Sequence, residues 1–258
     1  RPVTGVGTFA LRPPSLAGEV ERRLLVNYRV DPTVIGRRLP PGFRPQIVDG
    51  YAVAGICLIR LGSMRPRGLP AWVGLRSENA AHRVAVEWDS TRGIQTGVYI
   101  PRRDSSSPVN VLVGGRLFPG EHHRADFDVS ESTERMRVAF AARDGSAEVS
   151  VAVRITDQLR GSRLFADVAA ASAFFERGSV GYSGTRHPGR FDGLALRTNA
   201  WQVDPAEVLE AHSSFFSDRS AFPDGSAQLD CALVMRRVPV TWEPLTPLEP
   251  TASTVGSS

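Results

Sequence analysis

From Arg135 to Ala141 the side chains alternate, with Met136, Val138 and Phe140 on one face and Arg135 and Arg137 on the other. Asp144-Gly145 follows, and then Val149, Val151, Val153 and Ile155 alternate against Glu148, Ser150 and Arg154. Successive side chains point to opposite sides of a strand, so this pattern buries an apolar face only as β-structure. The Asp-Gly pair between the two runs suits a tight turn, and together they predict a hairpin. Val84, Val86 and Trp88 repeat the pattern, and Thr91-Arg92-Gly93 turns the chain into Ile94 to Ile100. Further strands are expected over 51–61, 109–118, 125–129, 194–199 and 227–237. The fold class is therefore mainly β.

Helices are few. Asp31-Pro32 and Asp204-Pro205 each place a capping carboxylate before a proline at the first helical position. They predict short helices over 32–39 and 205–212. An Ala-rich stretch predicts a longer helix over 162–176, stopped by Gly178. Tyr28-Arg29-Val30-Asp31-Pro32 and Trp201-Gln202-Val203-Asp204-Pro205 share the order aromatic, polar, Val, Asp, Pro, a weak hint of internal duplication. Pro247 to Ser258 has no periodicity and reads as a disordered tail.

The 258 residues carry 31 cations against 27 anions, a balance that does not point to nucleic acid. Every one of those cations is arginine; the chain has no lysine. No Schiff base can form on it, no internal aldimine can anchor pyridoxal phosphate, and no Walker-A lysine can meet a phosphate. The doublets Arg22-Arg23, Arg37-Arg38, Arg102-Arg103 and Arg236-Arg237 read as solvated surface. The longest apolar run, Ala52 to Ile59, is too short for a membrane span, and no leader pattern precedes it. Cys57 and Cys231 read as buried small hydrophobes in a reducing compartment, so the cytoplasm is the expected location.

Several chemical signatures are missing. No serine has the flanking glycines of a nucleophile elbow, Gly5-Val6-Gly7 is too short for a dinucleotide loop, and no HExxH occurs. No cofactor and no metal are expected. There are five histidines, His82, His122, His123, His187 and His212. His122 and His123 follow Glu121 in a Gly/Pro-marked bend that suits close approach to a ligand. Neighbours on an extended chain point to opposite faces, which speaks against joint metal chelation and for one inward, titrating imidazole. Glu78-Asn79 lies just before the run 82–88 and can set a carboxylate at a cavity mouth. Arg29 and Arg116 are candidate carboxylate clamps. Taken alone, each of these residues also reads as ordinary surface.

Gly115-Arg116, five residues, and Glu121-His122-His123-Arg124-Ala125 together resemble the signature stretch of the acetoacetate decarboxylase superfamily, which carries Gly-Arg-Glu and then Pro-Lys-Lys. Glu78, a strand, a Gly-containing turn and a strand ending in Tyr99 follow the same order. The chain is most similar to the YqjF-like branch. Asn27 to Pro32, Leu39 to Gly42, Met64 to Pro70, Gly181-Tyr182-Ser183, Ser213 to Phe216 and Ala232 to Arg236 carry that likeness, over about residues 20–243.

The resemblance implies a closed, cone-shaped antiparallel β-barrel of two repeats with short peripheral helices, over 20–245. Residues 1–19 would form an extension and 246–258 a tail. It also implies an internal ligand cavity with His122, His123 and Glu78 as catalytic candidates. Arg29, Arg116, Asn79, Glu121 and Tyr99 are the substrate-binding candidates. His122 stands where decarboxylases of the superfamily keep the imine-forming lysine, and imidazole forms no imine, so decarboxylation by that route is excluded. The expected function is His/Glu acid–base chemistry on a small carbonyl or carboxylate metabolite: enolisation, cyclisation, dehydration or hydrolysis. The alternative is a non-catalytic barrel holding a small hydrophobic or carboxylate ligand. The expected partners are that small molecule and a second copy of the chain, with no nucleic acid or membrane.

Overall fold

The computed structural model describes residues 14–112 and 118–250. Its first half runs β1 (Leu16–Val30), α1 (Pro32–Gly36), β2 (Arg44–Pro45), β3 (Ile47–Val48), β4 (Tyr51–Pro66), β5 (Leu75–Ser90), β6 (Gly93–Ser105) and α2 (Pro108–Leu112). The second half runs β7 (His122–Glu131), β8 (Arg135–Ala142), β9 (Glu148–Ile155), α3 (Val168–Arg177), β10 (Val180–Gly184), β11 (Phe191–Arg197), β12 (Asp204–Ser213) and β13 (Ala227–Pro244). No helix among the described residues is long and apolar enough to cross a membrane.

The strands form one sheet that closes on itself twice. The order β6-β7-β8-β9-β12-β13-β1-β4-β5 returns to β6 and makes the larger ring. β10 pairs with β6 and β11 with β13, so a second arc closes a smaller ring on the same five strands, β13, β1, β4, β5 and β6.

This double use explains the sequence. Ala52 to Ile59 is an unbroken apolar run because β4 is a wall shared by both rings, and a strand buried on both faces has no polar side to show. Its even residues (Ala52, Ala54, Ile56, Leu58) join one core with Leu24, Val26 and Val30 of β1 and Val138 and Val151 of the meander. Its odd residues (Val53, Cys57, Ile59, Leu61) join a second core with Leu25, Leu196 and Leu233, capped by Ala171 and Phe175 of α3. Strands β8 and β9 belong to the larger ring alone and keep strict alternation.

The expected hairpins are present, β8 against β9 and β5 against β6. α1 starts at Pro32 with Asp31 accepting from the Thr33 and Val34 amides, as its sequence predicts. Other expectations need correction. The sheet is mixed rather than purely antiparallel, because β6 takes β7 and β10 in parallel. The chain crosses over through α2 to reach β7, and returns from far along the sequence for β10.

The predicted helix over 205–212 is strand β12, paired with β9 and β13. Ladder bonds to two open strand edges outweigh the capping signal of Asp204-Pro205, so the Val-Asp-Pro echo stands in two different local structures. The predicted strand over 109–118 begins as α2, whose Asn110 amide donates to Ser107 Oγ ahead of Pro108. α3 starts later than expected, at Val168 with Asp167 as its cap, and Gly178 ends it. Past β13, Leu248 exchanges two backbone hydrogen bonds of 2.8 Å with Phe191. Cys57 and Cys231 are buried free thiols.

Candidate functional site

The smaller ring encloses a hollow of about 90 Å3. All seven of its strands, β1, β4, β5, β6, β10, β11 and β13, give it lining residues, and His122 at the start of β7 reaches it as well. Ile59, Leu61, Val98, Ile100, Leu194 and Leu196 make most of the wall apolar.

Strand register decides which polar side chains join them. Arg23 of β1 stands beside Ile59, Ile59 beside Asn79, and Asn79 beside Ser105. In the next row on that face, Cys57 stands beside Ala81, Ala81 beside Arg103, and Arg103 beside His122. Arg83 lies two residues beyond Ala81 on the same face of β5. Period-two alternation thus delivers three guanidiniums, an amide, a thiol and an imidazole to one cavity.

The cations there lack carboxylate partners. Arg23 donates from Nε to Cys57 Sγ at 3.2 Å, and its buried Nη1 bonds nothing. Arg83, 4% exposed, reaches Asn27 Oδ1 and packs 4.7 Å from the Phe175 ring centroid, leaving its Nε unbonded. Arg103 donates from Nε to the Pro119 carbonyl at 2.8 Å. Burial draws Arg83 and Arg103 down to about 10, so both stay cationic at neutral pH. The one acid on the cavity wall, Asp104, is already gripped by Arg102 at 2.6 Å.

His122 donates from Nδ1 to the Gly120 carbonyl at 3.1 Å. A carbonyl only accepts, so the basic lone pair is left on Nε2. Burial, then the Arg103 charge, hold this imidazole down at about 4, and it is neutral at physiological pH. Gly120 has φ +101°, and a Cβ there would stand 2.7 Å from Ser183. Only glycine lets this bend deliver its carbonyl to His122.

The predicted site residues fall in several places. His122 and Asn79 line the hollow. Asn79 is fixed by Ser77, Ser105 and Asn110. Glu78, its neighbour, points to the opposite face of β5, where Arg22 and Arg60 both pair with it. His123 likewise turns away, to Asp144 at 2.7 Å and to exposed Glu121 at 3.4 Å.

Tyr99 packs among Phe43 and Phe191, and Arg29 pairs with Asp230 at 3.3 Å near the far end of β1. Arg116 lies outside the described residues. The structure therefore brings together His122 and Asn79, and does not bring Glu78, His123, Glu121, Tyr99 or Arg29 to them. Of the arginines that do converge, Arg23 and Arg103 were legible only as half of a doublet, and Arg83 carried no signal of its own. Arg22-Arg23 and Arg102-Arg103 are not solvated surface, because a strand splits such a pair between its two faces, and both faces here are buried.

Residues 18–238 match the family model DUF2071, described as an uncharacterized conserved protein. The chain belongs to the DUF2071 family. No curated protein matches it in sequence. Solved structures share its fold at low identity. The enduracididine biosynthesis enzyme MppR complexed with pyruvate is 13% identical with a TM-score of 0.56, covering 93% of each chain. Acetoacetate decarboxylase from Legionella pneumophila is 12% identical with a TM-score of 0.57, covering 96% of this chain and 93% of that one. An acetoacetate decarboxylase-like enzyme from Sphingomonas wittichii RW1 is also 12% identical at 0.57, covering 95% and 100%. This DUF2071 chain therefore has the acetoacetate decarboxylase-like fold expected from its sequence.

Proposed function

We propose that this chain is a lysine-independent enzyme that binds a small carbonyl- or carboxylate-containing metabolite in the hollow of the smaller ring. Arg103 holds the anionic group and His122 moves the proton. The observation that carries this reading is the adjacency of Arg103 and His122 across β6 and β7, both facing a mostly apolar hollow. A guanidinium without a carboxylate partner, in low dielectric, is set to grip an anion.

A neutral imidazole with Nε2 free is set to take a proton from a carbon beside a carbonyl. The developing enolate then lies next to a fixed cation. An anion bound at Arg103 offsets the charge that holds His122 down, so substrate itself raises the basicity of the imidazole. Proton transfer of this kind is the first step of enolisation, cyclisation or dehydration, and none of these requires an imine. Glu78, with Arg22 and Arg60 both on its carboxylate, is assigned a structural part rather than a catalytic one.

The test is proton exchange in D2O. Pyruvate, the molecule bound in the MppR structure, and other short oxo acids are incubated with the protein and followed by NMR. Deuterium should enter beside the carbonyl of at least one of them with the native chain, and stop with His122→Asn at unchanged melting temperature. Binding without exchange would favour the non-catalytic carboxylate-binding alternative. Absence of both binding and exchange would refute the site.

A further inference from the structure

Charge accounting in the hollow goes further than one anion. Arg23, Arg83 and Arg103 bring three positive charges, and Asp104, the single acid on the wall, is already spent on Arg102. Among the described residues no carboxylate pairs with any of the three; their bonds go to a thiol, an amide and a backbone carbonyl. The remaining stretches, 1–13, 113–117 and 251–258, contain no Asp or Glu at all. Buried ions normally find a partner within the protein. A cavity that keeps three cations unpaired is built for charge that arrives with a ligand.

Their placement is also informative. Arg23 and Arg83 lie around Cys57, close enough for the Arg23 charge to lower Arg83, while Arg103 stands beside His122. In register, Arg103 and Arg23 are on strands separated by β5 and β4. Neighbouring strands are about 4.8 Å apart, so Arg103 and Arg23 enter the hollow from different strands of the wall, with Arg83 on β5 between them. One carboxylate offsets a single charge and leaves two of the three cations without a counter-ion; a molecule with two carboxylates offsets two. The size of the hollow sets the length. A water needs about 10–15 Å3 of such space, so the hollow takes roughly six to nine water-sized groups. That is the bulk of a diacid of about three to five carbons.

We infer that the ligand of this cavity is a short dicarboxylate, one carboxylate held by Arg103 beside His122 and the other by Arg23 and Arg83. This deepens the proposed function and rests on it: the reacting carbonyl would lie between the two carboxylates, within reach of the His122 imidazole.

The test is calorimetric titration at pH 7 of the full chain with carboxylates matched in carbon number: malonate against propionate, and succinate against butyrate, with inorganic phosphate as a third probe. A diacid should bind about ten-fold or more tighter than its monoacid. Arg103→Met and, separately, Arg23→Met should each erase that preference. Each should also raise the melting temperature of the ligand-free protein, because it removes a buried charge with no carboxylate partner. The second variant guards against one of them failing to fold.

Equal affinity for diacid and monoacid would overturn this inference and leave the proposed single-anion site standing. Binding of phosphate alone would overturn it in favour of a compact anion. No binding of any of these anions would overturn both the inference and the reading on which it rests.

Discussion

At the scale of single residues, two adjacent positions on β5 carry opposite consequences. Asn79 faces the hollow, whereas Glu78 neutralises Arg22, which is only 2% exposed. Glu78→Gln would leave that buried guanidinium with only the more distant Glu131 carboxylate at 3.9 Å, a change that costs up to about 3–5 kcal/mol. The expected outcome in chemical denaturation is a large loss of stability. His122→Asn, by contrast, should leave the midpoint nearly unchanged while binding or turnover is lost.

Buried imidazoles make a second, pH-dependent prediction. Burial and the nearby Arg102 charge push His82 down to about 3, and His122 is held at about 4. Both lie below the unfolded value of about 6.5. As pH falls the unfolded chain therefore takes up protons first, and stability that is complete above about pH 6.5 drains away toward pH 3. Melting temperature measured across that range should fall steadily. His82→Phe should flatten the slope: the ring nitrogens of His82 bond nothing, and its ring lies 4.8 Å from that of Phe215.

At the scale of elements, legibility followed how much of each element's environment was local. Strands β8 and β9 could be read outright, since one face is apolar, the other is not, and an Asp-Gly turn joins them. α1 could be read from its cap. β12 could not, because its partners β9 and β13 come from distant parts of the chain and override the helix-start signal of Asp204-Pro205. The site divides in the same way. His122 was marked by its bend and its resemblance to a known signature. Arg23, Arg83 and Arg103 were hidden, because their role follows from strand register and from burial of both faces, neither of which a single strand's pattern reveals. The bend before β7 supplies its own test. Gly120→Ala forces a non-glycine into φ +101° against Ser183, a strain of about 1–3 kcal/mol. Thermal denaturation should show that loss, and ligand affinity should fall with it as the Gly120 carbonyl moves off His122.

At the scale of the whole molecule, the DUF2071 chain is a sheet whose five shared strands serve two rings, one filled with side chains and one left hollow. β1 and β4 are paired on both edges and buried on both faces, so their amides should exchange slowest. β11 meets β13 over only four residue pairs, Leu194 to Arg197, and should exchange faster. Hydrogen-exchange mass spectrometry reads this order directly; equal protection of β11 and β1 would contradict the two-ring description. The most direct test of the central claim, that the smaller ring is a carboxylate-binding chamber, is a crystal structure grown with malonate. A malonate should lie inside the smaller ring, with a carboxylate oxygen in hydrogen-bond range of the Arg103 guanidinium. An occupied site elsewhere, with the chamber holding only water, would contradict it.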